Sequence, residues 1–108
     1  MTEVLVMVTT FPSESQARAI SRELVKEGLI ACANILPGAV SVYQWEGEIC
    51  EDAEVVVLMK TLRSRYAEVE ASLRQRHPYE VPEILALDVR QGLPAYLEFV
   101  GENCRDEA

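Results

Sequence analysis

Two prolines four residues apart, Pro78 and Pro82, fix more of this chain's path than any other pair of residues. Pro78 donates no N–H and its ring clashes with the preceding turn, so a helix arriving from upstream stops there and His77 is pushed out of the α region. Pro82 restricts Val81 in the same way. The segment His77–Ile84, HPYEVPEI, is therefore expected to be a stiff, extended turn from a helix into a strand, carrying an imidazole, a phenol and a carboxylate. It holds the chain's single histidine. Two readings follow. Binding groups collect on loops held by a scaffold, which makes the segment a candidate site. Alternatively it is a helix stop, with His77 at the negative end of the helix dipole and Tyr79 packed as core.

The remaining segments supply that scaffold. Glu3–Thr9 (EVLVMVT) is a continuous apolar and β-branched run, the pattern of a strand central in a sheet or covered on both faces. Pro12 and Ser13 break it. Ser13 with Gln16 gives a capping-box signature, Ala17, Ile20 and Leu24 recur at helical spacing, and Gly28 offers a C-cap. Leu29–Leu36 (LIACANIL) reads as a second strand, in which Cys32 and Asn34 share a side. Pro37-Gly38 interrupts it, and Ala39–Trp45 resumes. A two-residue hairpin needs φ > 0 at its first central position, which proline cannot adopt, so the pair is expected to bend one long strand. Glu46–Asp52 (EGEICED) reads as a hairpin loop and Ala53–Thr61 (AEVVVLMKT) as the returning strand, with Lys60 near its end either snorkelling to solvent or serving a site. A second helix is expected from Thr61 or Leu62 to His77, through Leu62, Tyr66, Val69 and Leu73. Glu83–Val89 is the last strand, and Gly92-Leu93-Pro94 opens a short helix with Leu93, Tyr96 and Val100 on one side. The charged tail, ENCRDEA, is expected to fray.

The order β-α-β-β-α-β plus a terminal helix is the split βαβ, ferredoxin-like α+β arrangement: an antiparallel four-stranded sheet with two helices on one face. The whole chain, 1–108, is read as one domain, large enough to bury somewhat over roughly 60% of its unfolded surface. The strands are apolar in long runs, yet no spare segment covers the second sheet face, so self-association is the expected remedy. A formal net charge of −8 with no basic run argues against nucleic acid and against an anionic membrane surface, and makes cations the natural partners. No apolar run approaches the length of a membrane span, and Met1–Ser13 shows neither a basic n-region nor a cleavage site; a cytoplasmic location is expected. Three separated cysteines, Cys32, Cys50 and Cys104, indicate reduced thiols. No nucleophile–base spacing and no phosphate-cradling glycine loop occurs, so an enzyme is not expected.

Four stretches together carry a family resemblance: ACANILPG at Ala31–Gly38, SVYQWEG at Ser41–Gly47, Lys60-Thr61 closing a strand, and HPYEVPEI. In combination the chain resembles the CutA divalent-cation tolerance proteins over nearly its whole length. The resemblance implies a ferredoxin-like subunit in a tight homotrimer, like the nitrogen-regulatory PII proteins, and an association with copper and other divalent ions. Where that family's copper assignment is made, it uses a cysteine near the end of the first strand and histidines just before the proline. Here those positions are Thr9 and Arg76-His77, so a single imidazole is left. Tight transition-metal sites need several converging N or S ligands, so Cu²⁺ binding is expected to be weak. The expected metal ligands are His77, Glu80 and Glu83. In a PII-like signalling alternative, a small anionic or polar ligand sits in a cleft between subunits lined by Lys60, Tyr43, Trp45, His77, Tyr79 and Glu80. Cys32, the remaining soft candidate, is also counted with the cleft lining, although its place in an apolar run argues for core packing.

Overall fold

A computed structural model describes residues 2–104. The elements are strands β1 (Val4–Phe11), β2 (Cys32–Trp45), β3 (Glu48–Leu62) and β4 (Ile84–Asp88), and helices α1 (Glu14–Lys26), α2 (Tyr66–Arg76) and α3 (Pro94–Asn103). The sheet is antiparallel in the order β2-β3-β1-β4. This is the ferredoxin-like arrangement expected from the element order. The two central strands are the most continuous apolar runs, and β2 and β4 form the edges.

Cross-strand partners share a face. Met7, Met59, Ala33 and Ala86 stand on one side, joined by Phe11, Val55, Val57 and Ile35. That side packs against Ala17 and Leu24 of α1 and Val69 and Leu73 of α2 to form the main core. Val6, Val8, Leu36, Val56, Leu58, Leu85 and Leu87 stand on the other side by the same registers. α3 covers one end of this second face, where Val100, Cys104 and Leu97 meet Val4, Ala31 and Leu62. The expectation that no segment reaches it is thus corrected at that corner. Leu36, Leu85 and Leu87 remain exposed.

Local chemistry sets the ends of the elements. The Ser13 hydroxyl accepts from Gln16 N–H at 3.2 Å, and Gly28 takes φ +73° just beyond α1. Pro37-Gly38 lies inside β2, where the pairing slips between Leu36 and Ala39 and Gly38 adopts φ +88°, so the expected bend is a bulge on an edge strand that tolerates proline. Two expectations are corrected. The hairpin loop is not Glu46–Asp52 but the pair Glu46-Gly47, both at positive φ (49° and 81°), with Trp45 opposite Glu48 and Ser41 opposite Asp52. The second helix starts not at Thr61 or Leu62 but after a 3₁₀ turn at Arg63–Arg65, because Leu62 pairs with Val4 and the buried Thr61 hydroxyl donates to Leu29 O at 2.7 Å. Of the tail expected to fray, Glu102 and Asn103 close α3, and Arg105–Ala108 lie outside the described residues.

A non-glycine residue at positive φ is strained, and asparagine tolerates the conformation better than glutamate. Glu46→Asn is therefore expected to stabilise the protein by about 0.5 kcal/mol, read as a higher midpoint in thermal unfolding. An unchanged or lower midpoint would show that the turn carries no such strain.

Candidate functional site

The HPYEVPEI segment leaves α2 as its prolines dictate. His77 N–H donates to Leu73 O at 2.8 Å, and its φ of −74° and ψ of 138° carry the chain out of the helix. The side chain then turns inward, not toward solvent. Its ring stacks on Phe11 with centroids 4.5 Å apart and is only 8% exposed.

Both ring nitrogens are engaged. Nε2 lies 2.7 Å from Thr10 O and 3.4 Å from the Thr9 hydroxyl, while Nδ1 accepts from Tyr79 N–H at 3.2 Å. A carbonyl oxygen only accepts, so Nε2 carries the proton and Nδ1 supplies the lone pair. This is a neutral imidazole. Burial lowers its pKa below the usual value, opposed by the Thr10 hydrogen bond and by the charge of Glu54. The ring therefore offers no free lone pair to a metal ion. Thr9 is fully buried beside it, and Arg76 pairs with Glu27 at 2.6 Å.

Tyr79 carries the segment outward. Its ring centroid is 5.1 Å from that of His77, and its hydroxyl donates to Glu54 Oε2 at 2.6 Å. Burial foremost, then this bond and the Glu54 charge, raise the phenol's pKa. On the hairpin, Tyr43 donates to Asp52, a bond that raises the Tyr43 phenol to about 12. Between hairpin and segment lies a cleft of about 350 Å³ walled by Tyr43, Trp45 and Tyr79. Glu54, Glu80 and Glu83 also line it, with Ser41, Thr10 and Val81, and among the described residues no Lys or Arg does.

The structure divides the residues singled out in the sequence. Tyr43, Trp45, Tyr79, Glu80 and Glu83 come together at this cleft. Lys60 and Cys32 do not. They face each other across β2 and β3 at the other end of the sheet, where Lys60 donates to Asn34 Oδ1 and Cys32 Sγ lies 3.2 Å from the Tyr96 hydroxyl. Cys32 is half-buried at the start of its strand, which corrects its assignment to the core. Glu54 and Asp52 were not identified from the sequence. A two-residue turn at Glu46-Gly47 is the signal that sets them opposite Ala39 and Ser41. Among the described residues, no three or more His, Cys, Asp or Glu side chains are grouped to hold a metal ion.

The profile of the CutA1 divalent ion tolerance protein family matches residues 5–103. The chain belongs to that family. It is 44% identical over 98 residues to the divalent-cation tolerance protein CutA of Thermus thermophilus, covering 91% of this chain and 95% of that one. Mouse protein CutA is 44% identical over 91 residues, which span 84% of this chain and 51% of the mouse protein. Among solved CutA structures, that from Xylella fastidiosa superposes with a TM-score of 0.94 at 38% identity, covering 96% of this chain and all of that one. The Archaeoglobus fulgidus protein, described as periplasmic, superposes at 0.91 with 31% identity, over 94% of this chain and 99% of its own. No helix among the described residues is long and apolar enough to cross a membrane.

Proposed function

We propose that this chain serves divalent-cation tolerance as a cytoplasmic homotrimer that associates with ions weakly and exchangeably, copper among them, and does no chemistry on them. One observation carries the reading: in a CutA1 family member, three carboxylates, Glu54, Glu80 and Glu83, line one cleft without being grouped as a chelating set, and no basic side chain among the described residues lines it with them. Their donors are oxygens. Oxygen donors suit hard cations such as Mn²⁺, Mg²⁺ and Ca²⁺, whereas tight Cu²⁺ sites recruit imidazole or thiolate. Of the ligands expected from the sequence, Glu80 and Glu83 keep that role. His77 holds the loop that carries them.

Calorimetric titration of the tag-free protein with Mn²⁺, Zn²⁺ and Cu²⁺, after its mass is measured by light scattering, tests this. Association is expected to weaken about tenfold in the Glu80→Gln/Glu83→Gln variant, a loss of roughly 1.4 kcal/mol, and to be unchanged in His77→Gln. Tight stoichiometric Cu²⁺ binding that vanishes in His77→Gln would overturn the assignment to the carboxylates. A second reading, a PII-like signalling trimer, draws on the three aromatic walls and a volume within the range of small-molecule sites. With Lys60 at the other end of the sheet, its ligand would be neutral or cationic and not anionic. A protein indifferent to every ion would favour that reading.

A further inference from the structure

A second groove lies on the opposite flank of the fold, between α1 and the edge strand β2. Arg18, Arg22 and Lys26 follow one another at four-residue intervals, so they form a ridge along one side of α1 with successive Cβ atoms about 6 Å apart. Ala33 and Ile35 of β2 form the opposing apolar wall of a space of about 650 Å³. Glu23 is the one carboxylate lining it among the described residues. Three cations against one carboxylate are thus gathered on a chain whose net charge is −8.

Two features mark this ridge as unspent. Arg18 is held by Glu14 at 2.8 Å, but Arg22 and Lys26 have no hydrogen-bond or ion-pair partner among the described residues. The second is Ser21, which lines the groove, is 4% exposed, and has a hydroxyl with no hydrogen-bond partner. A buried hydroxyl left unpaired destabilises the fold, so such groups ordinarily have a partner.

We propose that the α1–β2 groove binds a small multivalent anion. Its anionic groups span Arg18, Arg22 and Lys26, the Ser21 hydroxyl, closed off in the unliganded groove, rotates outward to donate a hydrogen bond to one oxygen, and its carbon or phosphate skeleton rests on Ala33 and Ile35. A long polyanion such as nucleic acid is disfavoured, because beyond this groove it would meet the acidic surface of the same chain. Phosphate esters and polycarboxylates share the required chemistry. The proposal stands apart from the cation reading, since it uses none of that cleft's residues.

The test is calorimetric titration of the metal-free protein with tripolyphosphate and with citrate, at low and at high salt. One anion bound per subunit, weakening as salt rises, is expected from at least one of them. The one that binds names the class. Arg22→Glu/Lys26→Glu should abolish that binding while leaving the folded mass unchanged. Ser21→Ala should weaken it about tenfold and raise the thermal midpoint of the unliganded protein, because the orphaned hydroxyl is gone. Failure of both anions to bind, or binding that survives the double charge reversal, overturns the proposal. Unchanged affinity in Ser21→Ala would overturn the hydrogen bond assigned to its hydroxyl.

Discussion

His77→Ala is expected to destabilise the protein by about 2–4 kcal/mol while leaving divalent-cation affinity unchanged. The magnitude comes from three losses. The stack on Phe11 at 4.5 Å contributes about 0.5–1.5 kcal/mol beyond the area it buries. The Thr10 carbonyl and the Tyr79 N–H each lose their imidazole partner, at about 1 kcal/mol or more apiece where water cannot replace it. The void left under the loop adds to this. Chemical denaturation compared with a calorimetric cation titration of the same variant separates the roles. A stable variant with lost ion binding would make His77 a ligand after all.

The same tautomer argument gives the acid side of the stability profile. Protonating His77 would put a hydrogen on Nδ1, where Tyr79 N–H already points, and would charge a buried ring. The folded pKa is therefore lowered relative to the unfolded value of about 6.5. The unfolded state then binds more protons in the interval between the two values, so stability rises with pH there. The contribution of His77 is intact above about pH 6.5 and is lost as pH falls through its folded pKa. A stability–pH profile of His77→Gln, subtracted from that of the parent, should show this loss as a downward step on acidification. A flat difference would place the histidine in water in both states.

Much of this architecture is legible in the sequence because backbone restrictions act locally. Pro78 ends α2 wherever the rest of the chain lies, and Pro37, unable to open a tight hairpin, could only bend a strand. The family resemblance rests on motifs that keep the same local meaning. What the sequence hides is which way a side chain turns. His77 lies on a segment that could present it outward, and only the packing of Phe11 against it decides that it points in. Register is hidden for a related reason: EGEICED is polar except for the adjacent Ile49 and Cys50, so alternation carries little signal, and the positive φ at Glu46 places the turn. That misplacement conceals Glu54 and Asp52. Lys60 and Cys32 join the cleft residues only while position along the sheet is ignored, and the β2–β3 pairing moves them to its far end.

Val8→Asp is expected to abolish the proposed homotrimer, converting the protein to monomers or unfolding it. Val8 pairs with Leu58 on β3 and Leu85 on β4, at the middle of the sheet face that α3 leaves open. Leu85 and Leu87 are 56% and 58% exposed, and on the projecting β2–β3 hairpin Val42 and Ile49 are 65% and 71% exposed. That hairpin extends beyond β1, which pairs β3 only from Val55 to Leu62, so residues 39–54 form a two-stranded ribbon without a third strand. Such ribbons are marginal in water, and an apolar surface of this extent is the mark of an interface. Each leucine or valine it buries contributes on the order of 1 kcal/mol per subunit. An aspartate carboxylate taken into the same interface without a partner costs several kcal/mol. Light scattering of the parent at the mass of three chains, and of Val8→Asp at the mass of one or with lost helical circular dichroism, is the expected pair of results. A parent that is monomeric at all concentrations would leave this apolar face facing water and remove the basis for the trimer.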